Sequence, residues 1–184
     1  MNISKEKIIQ VLDQLVICKK QIEDIQKQTP LFVIFNSFDL TIWVHDTKEL
    51  VDTLAKFLEV DSNNINDKDL IYHNGARWHM HLSDENKANF FNPNRDLKYL
   101  EQLEELFLFT RKIKTLVDCI DSIWISASGI TVYFVSYSNE EKLKIIDNMP
   151  KDVGEFKTVE DFAELLKVDY NYKGYSFILC IDEK

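Results

Sequence analysis

The sequence predicts an α+β fold of two αββαββ halves, in which hairpins build antiparallel sheet and helices cover its aliphatic face. Three observations lead there. Ser122 to Tyr137, SIWISASGITVYFVSY, alternates like two strands folded back across Ser128-Gly129, and pairing Ala127 with Ile130 gathers Ile123, Ile125, Val132 and Phe134 on their surface. Leu31 to His45, LFVIFNSFDLTIWVH, turns over Asn36 to Asp39 with Phe35 opposite Leu40, placing Leu31, Val33, Ile42 and Val44 on one face. The flanks of the two hairpins also correspond. Ile8, Ile9, Leu12, Leu15, Val16, Ile22 and Ile25 recur 91 positions later as Tyr99, Leu100, Leu103, Leu106, Phe107, Ile113 and Leu116. VDTLAKFLEVD (51–61) resembles VEDFAELLKVD (159–169) at five identical positions of eleven, so the order helix, hairpin, helix, hairpin occurs twice. That order points to an internal duplication, with halves at 1–92 and 93–184 forming one globular unit.

Taken from the start, a first helix runs from an N-cap at Ser4 to Gln28, where Thr29-Pro30 stops it, and its stripe of Ile8, Val11, Leu15, Cys18, Ile22 and Ile25 faces a core. Asp46 to Glu49 has the capping-box pattern that opens a second helix ending near Val60. Asp61 to Lys68 is a polar connection, and Leu70 to Leu82 is a hairpin over Asn74-Gly75, a strong short turn signal. Asn92-Pro93-Asn94 marks the internal boundary, with Asn94 capping a long helix from about Arg95 to Cys119. Its run Leu106-Phe107-Leu108-Phe109 predicts packing on more than one side. After the Ser122–Tyr137 hairpin, Ser138 to Glu141 caps a short helix ending before Pro150; the segment 138–156 lacks a counterpart and reads as an insertion. VEDFAELLKVD then takes the place of the second helix, followed by a hairpin over Lys173-Gly174.

Composition narrows the function. With 184 residues, 45% of them hydrophobic, the chain buries a core without needing disulfides or metal. Cys18, Cys119 and Cys180 are odd in number, have no CxxC spacing and lie in apolar patterns, which suits buried free thiols. No segment reaches bilayer-spanning length and MNISKEKIIQ is not a leader, so a soluble, cytoplasmic protein is expected. The net charge of −9 is spread evenly, 10 Lys and Arg against 14 Asp and Glu through Asn92 and 12 against 17 thereafter. Such a chain is a poor binder of nucleic acid and suits a basic protein partner. Three of the four glycines sit in hairpin turns and Gly154 in a linker, leaving no phosphate cradle, dinucleotide fingerprint or nucleophile elbow, and so no cofactor.

Both hairpins carry aromatic residues on their second face. Phe32 and Trp43 stand there in the first, Trp124, Thr131 and Tyr133 in the second, and such rings bury large area at low entropy cost. These five residues are the candidate binding set of a non-enzymatic protein-binding module, of the inhibitor, immunity or adaptor kind. Two alternatives stand beside it. Folding that aligned Glu101, Glu104, Glu105, Asp118 and Asp121 would make an acidic nucleic-acid mimic, although carboxylate pairs such as Glu104-Glu105 read more simply as solvated helix faces. His79 and His81 project from one strand face, the spacing of many metal sites, and would centre a metal-dependent enzyme with Asp84 or Glu85 folding back. Arg77 shares that face and opposes a cation, while His73 falls on the other.

Overall fold

A computed structural model describes residues 3–29, 31–83, 92–162 and 164–183. Pro30, Asp84 and Glu85 therefore lie outside the described residues. The chain is α+β, with four α-helices and nine strands in mixed sheet among the described residues: α1 (Lys5–Gln28), β1 (Phe32–Asn36), β2 (Leu40–His45), α2 (Lys48–Phe57), β3 (Leu70–His73), β4 (Ala76–Ser83), α3 (Pro93–Lys114), β5 (Ile120–Ser126), β6 (Gly129–Ser136), α4 (Asn139–Asp147), β7 (Gly154–Phe162), β8 (Leu165–Tyr172) and β9 (Tyr175–Glu183). It divides into two units, Lys20–Phe109 and Met1–Lys19 with Thr110–Lys184, so the division falls inside α1 and α3. Among the described residues no helix is long and apolar enough to cross a membrane.

Within Lys20–Phe109 the strand order is β3-β4-β2-β1. Phe35 pairs with Leu40, and the turn is closed by reciprocal Asn36 and Asp39 backbone bonds of 2.9 and 3.1 Å. Val33, Phe35, Leu40, Ile42 and Val44 are buried, as are Ala76, Trp78 and Met80 on β4. Period-two alternation produces this single apolar face, and Leu50, Leu54, Ala55 and Leu58 of the second helical segment are buried with it. Phe57 meets Trp78 edge-on at 5.4 Å, so α2 lies over β4. The N-cap of α2 is Thr47, one residue beyond the expected Asp46, because the amide of Asp46 is still bonded to the Ser83 carbonyl at 2.8 Å. Asn92, not Asn94, caps α3: its Oδ1 accepts from the Arg95 amide, and Asp96 accepts in return from the Asn92 amide. Pro93 then occupies the first helical position, where its missing N–H is no loss.

In the other unit the order is β5-β6-β9-β8-β7. The β5–β6 turn is Ala127-Ser128 rather than Ser128-Gly129, because Ser126 pairs with Gly129 and Ile125 with Ile130. A shift of two residues preserves the faces: Ile123, Ile125, Ile130, Val132 and Phe134 are buried, while Ala127 moves into the exposed turn. Residues of α1, β5, β6 and β9 close around a void of only about 10 Å³ lined by Ile8, Leu12, Val132 and Leu179. Tyr172 donates to Asp13 on α1 at 2.8 Å, and Lys173 pairs with the same carboxylate at 2.6 Å.

Three expectations are corrected here. The sheet is mixed rather than antiparallel: β2 runs parallel to β4, and β6 parallel to β9, with a helix and one or two strands in each connection. VEDFAELLKVD is not a helix but the end of β7 and the start of β8. Its Ala-Glu-Leu-Leu core favours helix locally, yet the whole of Leu165–Tyr172 is laddered to β9, and the alternation of buried Val168, Tyr170 and Tyr172 follows directly on it. After the hairpin comes α4, capped by Ser138 as expected, and then β7. Gly154 is the first residue of β7, not a linker. A Cβ there would lie 2.0 Å from the Tyr170 hydroxyl oxygen, so the chain passes this buried ring only without a side chain.

Cys18, Cys119 and Cys180 are free and buried. Burial pushes the Cys18 and Cys119 thiols up to about 11 and raises Cys180 as well.

Candidate functional site

The face of β3-β4-β2-β1 opposite the core takes the alternate residues of each strand. Antiparallel pairing sets Phe32 beside Trp43, and the parallel ladder sets Trp43 beside His81, so one row crosses three strands. The Trp43 and His81 rings stack at 3.9 Å with planes 9° apart. Phe32 and Trp43 remain 44% and 42% exposed. The next row is Ile34, Thr41, His79 and Leu70. Arg77 lies on this face as expected and is held by Asp39 at 3.1 Å; the same carboxylate accepts from Thr41.

His79 and His81 are neighbours, their ring centroids 4.6 Å apart, and Asp67 lies 4.0 Å from His81 Nδ1. Burial lowers the His81 pKa below its ordinary value of 6.5, the neighbouring His79 lowers it further, and Asp67 opposes the shift. A depressed histidine binds its proton more readily in the unfolded chain. Its contribution to stability is therefore complete above about pH 6.5 and declines as the pH falls below that value. The His81 imidazole is expected to titrate below 6.5 by NMR, and His81→Gln to flatten the acid limb of urea stability between pH 5 and pH 7. An unchanged limb would show that His81 is not the group responsible. Among the described residues no group of three or more His, Cys, Asp or Glu side chains is arranged to hold a metal.

Beside this face is an open cleft of about 720 Å³ lined by Asp46, Lys48, Asp52, Asn63, Asp67 and Leu82, among others. It adjoins the aromatic row through Asp67, which also accepts from the Leu82 amide at 3.0 Å.

In the other unit Trp124 is 43% exposed opposite Thr131, and Tyr133 sits diagonally, 6.0 Å from Trp124 by ring centroid. Burial raises the Tyr133 pKa, and β9 continues the face with Ile178 and Cys180. Each unit thus carries two of its expected aromatic residues on the side of its strands opposite the buried apolar face: Phe32 with Trp43, and Trp124 with Tyr133, Thr131 lying opposite Trp124.

A cluster on the core side was not foreseen. Glu104 is buried on α3, contrary to the solvated face expected for Glu104-Glu105, while Glu105 is exposed. Its carboxylate lies 4.0 Å from His73 Nε2 and 3.4 Å from the Asn74 amide nitrogen, and Phe57 closes over His73 at 5.1 Å. The signal for it was the opposite facing of His73 relative to His79, which directs His73 toward whatever covers the core. Burying Glu104 also separates it from Glu101 and Glu105, which are exposed on α3, while Asp118 and Asp121 lie beyond the end of that helix.

Comparison of the chain with protein-family models, with curated proteins and with solved structures gives no match.

Proposed function

We propose that the chain is a non-enzymatic protein-binding module, acting as an inhibitor, immunity-type protein or adaptor in the cytoplasm. The observation that carries this reading is the Phe32-Trp43-His81 row, in which exposed Phe32 and Trp43 stand side by side and Trp43 is ordered by stacking on the half-buried His81. Ordered aromatic area lowers the entropy lost on association and is the usual anchor of an interface. Trp124, Thr131 and Tyr133 form the corresponding set in the other unit. The partner is a protein with basic groups, because Asp46, Asp52 and Asp67 line the cleft beside the row and the chain carries −9 overall. Direct binding of nucleic acid is not expected.

The proposal extends to origin: the two halves descend from one αββαββ unit. Adding 90 converts the pairs Val33–Ile42 and Phe35–Leu40 into Ile123–Val132 and Ile125–Ile130. Adding 99 converts Tyr72–Arg77 into Asn171–Ser176, and the parallel ladder keeps both offsets, Leu40–Trp78 becoming Ile130–Phe177. The closing turns share left-handed backbone at Asn74-Gly75 and Lys173-Gly174.

Cross-linking in the native cell followed by binding measurement with the purified partner tests the functional reading. Trp43→Ala is expected to weaken binding by about 2 kcal/mol or more, roughly thirtyfold, with the unfolding midpoint nearly unchanged. A partner that binds Trp43→Ala, Phe32→Ala and Trp124→Ala as tightly as the wild type would place the interface elsewhere.

A further inference from the structure

We propose that β7 is a self-association edge, along which two copies of the chain pair antiparallel about Val159 and continue their sheets into one another. Among the described residues β7 is the outermost strand of its unit and has β8 as a neighbour on one side only. It is nine residues long and exposed throughout from Lys157 to Phe162, with Val159 55% and Phe162 59% exposed. A long edge strand bearing apolar side chains is a template for another strand, because its outward backbone groups have the spacing of a ladder.

The charges on β7 select the occupant. In an antiparallel pair the facing side chains point the same way, so a two-fold axis perpendicular to the sheet sets one residue against its own copy. Centring on Lys157, Glu160 or Asp161 places like charges in contact, and centring on Thr158 sets Glu155 against Asp161. Of the centres that pair seven or more residues of β7, Lys157, Thr158 and Val159, the last one avoids this: valine meets valine, Thr158 meets Glu160, and Lys157 meets Asp161 twice over. Lys157 is suited to the role because a bulge between Phe156 and Thr158 leaves it without a partner on β8. Glu160 is already engaged by Lys167 at 3.7 Å, which leaves Asp161 as the acceptor. The same charges that block indiscriminate pairing therefore admit one register among those that engage most of the strand; centring on Phe156 also avoids like charges but pairs only Gly154 to Thr158, across the bulge. A contact of a single strand is small, so the dimer is weak and concentration-dependent.

Sedimentation of the full chain from micromolar to millimolar concentration tests this. The wild type is expected to show a reversible monomer–dimer equilibrium. Lys157→Asp and Asp161→Lys are each expected to weaken it at least tenfold, roughly, because two attractive pairs become repulsive. An equimolar mixture of the two variants should associate like the wild type, since each reversed charge then meets its opposite, and this rescue also shows that both variants are folded. A wild type that stays monomeric throughout, variants that associate unchanged, or a mixture no stronger than either variant alone would overturn the proposal.

Discussion

Trp78→Ala is expected to destabilise the protein by about 3 to 5 kcal/mol, the largest loss available from a single truncation in the Lys20–Phe109 unit. Trp78 is 0% exposed, faces Ile71 on one side and Leu40 on the other, and receives the edge of Phe57. Removing the indole leaves a cavity that three elements border, and a sheet strand cannot collapse into it without losing its ladder. Trp78→Phe is expected to be much milder. The indole Nε1 is buried without a hydrogen-bond partner among the described residues, so the smaller ring relieves an unsatisfied donor while giving up volume. Urea unfolding of both variants measures the difference, and similar losses for the two would mean that the cavity is not what matters.

Ile125→Ala is expected to lose about 2 to 5 kcal/mol, against a few tenths for Ser126→Ala one position along. Ile125 is 0% exposed and faces Ile130, whereas Ser126 is partly exposed opposite Gly129 with its hydroxyl 2.9 Å from that of Ser128. The contrast depends only on alternate residues facing opposite ways. If Ser126→Ala proves as damaging as Ile125→Ala in urea, the assignment of faces in β5 is wrong.

What could be read in advance was what local pattern controls. Alternation separated Val33, Phe35, Leu40 and Ile42 from Phe32, Trp43 and Thr41, and a register error of two residues at Ser128 left every face intact because the pleat repeats every two. Turn chemistry at Asn74-Gly75 and Lys173-Gly174 was equally legible, since few residue pairs accept that backbone. The parallel ladders were not. Nothing local in TIWV or WHMH records that Trp43 will stand beside His81, so the stacked pair at the centre of the candidate face arises only from the crossover. VEDFAELLKVD failed for the complementary reason: its propensity is helical, and its strand identity comes from β9, which follows it in the chain. Glu104 was misplaced because its partners, His73 and Asn74, come from a different element, and helical spacing alone shows only that it is polar.

The crossover also sets an order in time. Each hairpin closes a short loop, so β1–β2, β3–β4, β5–β6 and β8–β9 are within reach of microsecond events. Joining Ile42 to Met80 must wait for α2 and β3, and joining Val132 to Leu179 for α4, β7 and β8, at the entropic penalty of a much longer loop. The slow step of folding in each unit is then the meeting of two preformed hairpins along a parallel seam, with the intervening helix carried across as they meet. On a ribosome that seam cannot begin to close until the second hairpin has emerged, which for the β6–β9 seam means after Tyr175–Glu183 has been synthesised.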